Sequence, residues 1–107
     1  MKQIAKTPQP PYYAVVFTSI RTGIDEGYTD TAENMLALAS EQPGFLGVES
    51  VREQSGLGIT VSYWKDEESI RKWKNHAAHQ KAQRFGKEKW YQSYKIRVSK
   101  VCKDYGL

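Results

Sequence analysis

Trp73, His76 and His79 follow one another at intervals of three, a spacing that on a helix sets all three side chains on one broad face. A neutral imidazole can take a proton from a phenol near neutral pH. The substrate anion formed in that way is what an aromatic ring needs to react directly with oxygen without a flavin. An indole beside the base offers the ring a flat wall, and Tyr63, Tyr91 and Tyr94 can add hydrogen bonds from neighbouring strands. Two histidines at i and i+3 can also share a metal ion, but a site needs a third and usually a fourth ligand. No His-Glu-x-x-His run, cysteine pair or placed carboxylate supplies them, so no metal is expected. The plainer reading makes Trp73 a core residue and leaves the histidines exposed or bonded to carbonyl groups.

The elements that must hold these residues can be read from the pattern of side chains. Tyr12–Ile20 is β-branched and aromatic with apolar side chains on both alternations, a strand covered on both faces. Asp25 to Gln42 has helical spacing through Tyr28, Ala32, Met35, Leu36 and Ala39, with acids at its start and Pro43-Gly44 at its end. Phe45–Glu53 and Leu57–Trp64 read as strands joined by a tight turn at Gln54-Ser55-Gly56. A second helix is predicted from Asp66, whose side chain can cap it, through Ile70, Trp73, Ala77, Ala78, Ala82 and Phe85 to a break at Gly86. Tyr91 to Val101 is the last strand, with Tyr94, Ile96 and Val98 on one face. Trp90, Tyr91 and Tyr94 at its start suit a cavity rim or the seam between two copies, with the seam favoured.

The order β-α-β-β-α-β specifies an α+β, ferredoxin-like fold, an antiparallel sheet with both helices on one face. At 107 residues, 39% of them hydrophobic and 26% charged, the chain forms one folded domain. Residues 12–107 are its body and residues 1–11, with Pro8, Pro10 and Pro11, an extended arm. The other face of the sheet carries large apolar side chains and no layer to cover it. A second copy packing sheet to sheet closes it with two-fold symmetry, whereas an eleven-residue arm folded over it could shield only part. The net charge of +4 comes from basic residues interspersed with acids, the pattern of a solvated face rather than a nucleic-acid footprint. Cys102 has no cysteine to pair with and reads as a structural thiol. With no signal peptide and no bilayer-length apolar stretch, a cytoplasmic protein without nucleic-acid or membrane partners is expected.

Several stretches resemble the antibiotic biosynthesis monooxygenase family. Tyr63-Trp64-Lys65-Asp66-Glu67-Glu68-Ser69-Ile70 followed by Trp73 is similar to its Tyr/Trp-Trp-x-Asp/Ser-x-Glu-x-aliphatic-x-x-Trp pattern, and Pro43-Gly44-Phe45-Leu46-Gly47 to its Pro-Gly-Phe-x-Gly. His76-Ala77-Ala78-His79, Gln83, Gly86, Trp90-Tyr91, Tyr94 and Arg97-Val98 resemble a run found in a bacterial subgroup. The resemblance implies a dimeric α/β barrel with a cavity between helices and sheet in each subunit. Its members include cofactor-independent monooxygenases of phenolic or quinol-like aromatics, and haem-degrading enzymes. The latter use an asparagine on the first strand, a tryptophan at the position of Trp73 and a histidine later on the helix. Here the first strand has no asparagine and the histidine position falls near Gln83, so haem degradation is not implied. A single-stranded RNA reader would need a Lys/Arg-Gly-aromatic run on a central strand, which is absent.

The expected protein is a homodimeric monooxygenase without cofactor, acting on a small aromatic or quinol-type compound. His76 and His79 are its candidate bases, and Trp73, Tyr63, Tyr91 and Tyr94 its substrate contacts. The alternative is a non-catalytic dimer that binds a small hydrophobic ligand or haem.

Overall fold

The structure is a computed structural model that describes residues 3–107, with the backbone alone at Ala77. Strands β1 (Tyr12–Arg21), β2 (Phe45–Arg52), β3 (Leu57–Trp64) and β4 (Tyr91–Val101) form one antiparallel sheet in the order β2-β3-β1-β4. Helices α1 (Tyr28–Ser40), α2 (Glu67–Lys74) and α3 (Ala77–Phe85) complete the ferredoxin-like α+β arrangement. Among the described residues no helix is long and apolar enough to cross a membrane.

The strands stand where the alternation of the sequence puts them. The first helix starts later than the acids at Asp25 and Glu26 suggest. Asp25 instead pairs with Arg21 at 3.0 Å, and its carbonyl closes a turn onto the Tyr28 amide. Gly27, at φ 76°, then leads into α1.

The second helical region is two helices, not one. Asp66 caps α2 as expected, its Oδ1 accepting the Ser69 amide at 2.8 Å. Glu67 and Glu68 sit at the positive end and Arg71, Lys72 and Lys74 at the negative end, so its eight residues already match the whole macrodipole. The chain breaks at Asn75, and His76 takes extended backbone geometry as the N-cap of α3, Nδ1 accepting the Ala78 amide at 3.2 Å.

Gly86 does not end this region either. It keeps helical angles, and the chain runs on through a π-helical turn, Gly86–Trp90. A Cβ on Gly86 would stand 2.9 Å from the Tyr91 ring, so close approach is what the glycine allows. Trp90, favoured above for a seam between copies, is buried within its own chain. Its Nε1 donates to the Glu26 carbonyl at 3.0 Å and its ring packs edge-on against Tyr28.

Gly44 is the second point of close approach. Its φ of 86° lies in the left-handed region, and a Cβ there would run into the side chain of buried Ser69. Gly44→Ala should therefore lower stability by about 3 kcal/mol, combining the left-handed cost with overpacking. Urea unfolding monitored by tryptophan fluorescence checks it; an unchanged midpoint would mean that the loop relaxes freely.

Residues 3–11 run against the sheet face that carries no helix. The Ala5 amide donates to Glu49 Oε2 at 3.0 Å, and Ala5 lies over Gly47, where a Cβ would sit 2.9 Å from its own. Thr7 Oγ1 donates to Tyr12 Oη, which donates in turn to Asp104 Oδ2 at 2.6 Å. The arm leaves Ile20, Leu57, Ile59 and Val51, on the same face, 38%, 41%, 46% and 66% exposed. Residues 1 and 2 of the expected arm lie outside the described residues.

Candidate functional site

The strand registers set the floor of a cavity between helices and sheet as four cross-strand rows. Reading from β2 through β3 and β1 to β4, one row is Val48, Ser62, Val15 and Val98, the next Ser50, Thr60, Phe17 and Ile96, and the next Arg52, Gly58, Ser19 and Tyr94. Trp64 and Tyr13 head the remaining row. Met35, Leu36 and Ala39 of α1, together with Ile70, Trp73, His79, Ala82 and Gln83 from α2 and α3, form the opposite wall. The cavity has a volume of about 660 Å³ and opens to solvent, within the range of small-molecule sites.

Its aromatic wall is a stack. The Trp73 indole lies between the buried Trp64 ring, 6.5 Å and 26° away, and the His79 imidazole, 4.5 Å and 11° away. The helix break makes this possible. In a continuous helix the Trp73 carbonyl would accept the amide four residues on; here it takes the His76 amide at 3.0 Å and lies 3.1 Å from His79 Nδ1. A carbonyl can only accept, so Nδ1 carries the proton and Nε2 keeps its lone pair. Burial pushes the His79 imidazole below its ordinary pKa of 6.5, against the opposing effect of the Trp73 carbonyl, so it is neutral at pH 7.

Of the six candidate residues, Trp73, His79, Tyr91 and Tyr94 line the cavity. His76 does not: its Nδ1 lone pair is committed to the α3 cap, though its ring lies 5.4 Å from that of Trp73. Tyr63 is on the far face of the sheet, because its neighbours Ser62 and Trp64 take the inward alternation. There it donates to Glu49 Oε1 at 2.6 Å, and burial together with that bond pushes its phenol up to about 12.

Tyr91 is one of three tyrosines lining the cavity, with Tyr28 and Tyr94. Burial, then its bond to Tyr28, hold its pKa well above the ordinary value, while Arg52 and Arg21 pull the other way; it is a donor at neutral pH, not a base. Arg21 itself lies 3.4 Å over the Tyr28 ring and donates to the Trp90 and Ile24 carbonyls, locking the end of β1 to the start of β4. Among the described residues no group of three or more metal-ligating side chains comes together.

Sequence reasoning missed Arg52, Gln83 and the hydroxyls of Ser50, Thr60 and Ser62. The signal for Arg52 was its phase, since Val48, Ser50 and Arg52 occupy one alternation of β2.

Fold and cavity define a small ferredoxin-like protein with an aromatic, single-histidine cavity. The family model described as antibiotic biosynthesis monooxygenase matches residues 11–84, and the chain belongs to that family. An uncharacterized protein of Bacillus subtilis, YqjZ, is 55% identical over 101 residues, covering 94% of this chain and 89% of that protein. A jasmonate monooxygenase of Pyricularia oryzae is 29% identical over 94 residues, which cover 83% of this chain and 43% of that protein. Among solved structures, SnoaB, a cofactor-independent oxygenase from Streptomyces nogalater, superposes with a TM-score of 0.75 at 13% identity over 87% of this chain and 95% of its own. Rv0793 from Mycobacterium tuberculosis gives 0.76 at 7% identity, over 89% and 99%. Likeness at such identities shows a shared fold.

Proposed function

We propose that the protein is a cofactor-independent monooxygenase of a small aromatic or quinol-type compound, with His79 as its base. The observation that carries this reading is the His79 ring, neutral, stacked on Trp73 and held by the Trp73 carbonyl so that Nε2 is free to accept a proton. The substrate ring lies in the apolar cavity beside the tryptophan stack. His79 Nε2 takes the proton of an acidic hydroxyl, and the anion donates electrons to dioxygen without a flavin. Two hydrogens of the substrate are lost; one oxygen atom forms a bond to substrate carbon and the other leaves as water, so substrate is oxidised and dioxygen reduced. Tyr91, kept protonated and bonded to Tyr28, offers the substrate a polar contact from the cavity wall rather than a second base. His76 acts by capping α3 and so by orienting His79, not by proton transfer. The experiment is turnover under isotopically labelled dioxygen: one labelled oxygen per product molecule is expected, and label incorporated only from water would overturn the reading.

The working unit we propose is a homodimer in the cytoplasm. Ile20, Val51, Leu57 and Ile59 form an apolar patch that the arm leaves open, and a second copy of the same face closes it. Sedimentation at micromolar concentration should return a dimer for the native chain and a monomer for Ile59→Glu. A native monomer would contradict the assembly.

A further inference from the structure

We infer that Arg52 is an anion anchor, and that the molecule this cavity takes is an aromatic or similarly apolar compound carrying a carboxylate-type oxyanion. The inference rests on the cavity being the substrate site.

Arg52 ends β2 on the inward alternation, and its guanidinium lies flat across Gly58, where a Cβ would meet Cζ, Nη1 and Nη2 at 2.6, 2.8 and 2.9 Å. Only a residue without a side chain leaves that passage over β3. Beyond it, Nη2 donates to the Oγ of buried Ser19 at 2.7 Å, while Nη1 donates to the Gly56 carbonyl and, at 3.5 Å, to that of Ser19. These partners are neutral. They fix the plane of the group without cancelling its charge, and among the described residues no carboxylate pairs with it. Of the five N–H donors of a guanidinium, these bonds engage three. Nε–H and one Nη2–H remain, a pair that suits the two oxygens of a carboxylate.

The surroundings point the same way. The charged side chains lining the cavity are Arg52 and Lys74, both cations, and no aspartate or glutamate is among the lining residues. An unpaired charge in a half-buried, mostly apolar space is unfavourable unless a counter-charge arrives. Glu53, the residue after Arg52, is exposed and caps the hairpin turn through its carbonyl instead. Arg52 and Trp64 are also at opposite ends of the floor. Gly58, beside Arg52, is six residues from Trp64 along β3, roughly 20 Å at the usual strand rise. A ligand held by its anionic end at Arg52 thus extends its apolar body toward the Trp73 and His79 wall.

The test compares naphthoate with its methyl ester, read by quenching of tryptophan fluorescence near neutral pH. The native protein should bind the acid at least about tenfold more tightly than the ester, as a charge-assisted bond in a partly desolvated site allows. Arg52→Gln should lose that preference, the acid falling to the affinity of the ester, and Arg52→Lys should keep part of it. The native comparison stands whether or not either variant folds. No acid preference in the native protein would overturn the inference. So would a preference that survives Arg52→Gln or that vanishes with Lys74→Gln instead. If Arg52 only ties the hairpin to β1, Arg52→Gln lowers the melting temperature and leaves the acid-to-ester ratio alone, which also overturns it. The outcome is separable from that of the monooxygenase reading. Acid preference without any oxygen chemistry would remove the enzyme and leave the anchor, whereas turnover of neutral quinols without acid preference would do the reverse.

Discussion

His79→Gln should lower kcat by about 100-fold or more, the usual contribution of a positioned general base, while the protein stays folded. Glutamine fills similar space and can still hydrogen-bond the Trp73 carbonyl, but it cannot take a proton. His76→Gln should have a smaller effect, expressed through the α3 cap, with a loss of stability of about 1 kcal/mol. The two variants therefore separate the histidines that equal spacing made look alike. The pH dependence carries a sign as well. Burial holds the native pKa of His79 below 6.5, so activity should stay level from pH 8 to 7 and fall only as acid protonates the ring. Between the lowered pKa and 6.5 the unfolded chain binds more protons than the native one. Stability accordingly rises with pH across that window, and His79→Gln should flatten the rise. A turnover profile with its acid limb above pH 7 would assign the titrating base to another group.

Trp64→Ala should be the most disruptive single change in the fold, costing about 3–5 kcal/mol, as expected for truncating a buried indole. Trp64 is 1% exposed, donates from Nε1 to Ser62 Oγ at 2.9 Å, meets Phe45 edge-on at 5.4 Å and backs the Trp73 ring. Its removal opens a void where β2, β3 and α2 meet and leaves Trp73 without support. For a domain of this size such a loss is a large share of the total stability, so chemical denaturation should show a midpoint collapse or no folded baseline. A cost below about 1 kcal/mol would place the core elsewhere.

The strands were legible because each is a β-branched and aromatic run of strand length, and Gly44 and Gly56 punctuate them. Two features of the site were not. The region after Asp66 has apolar residues at helical spacing on both sides of Asn75, so periodicity alone joins α2 to α3. The cue lay in charge: acids at Glu67 and Glu68 and cations at Arg71, Lys72 and Lys74 complete a helix before Asn75 is reached. Tyr63 was misplaced for a different reason. From Thr60 to Trp64 both alternations carry side chains suited to burial, so parity cannot be read until Trp64 is known to pack against Trp73. The arm posed a third problem, since nothing in its prolines shows that Ala5 meets Gly47 and Glu49, contacts spanning more than forty residues of chain.

The most direct measurement is oxygen consumption by purified, metal-stripped protein with a panel of quinols and polyphenols, run in parallel for the native chain and His79→Gln. Uptake by the native protein, abolished or reduced at least about 100-fold in the variant with an unchanged melting temperature, is the predicted result. Uptake that survives the substitution, or no uptake with any compound although aromatic ligands bind tightly, would contradict it and leave a binding protein in its place.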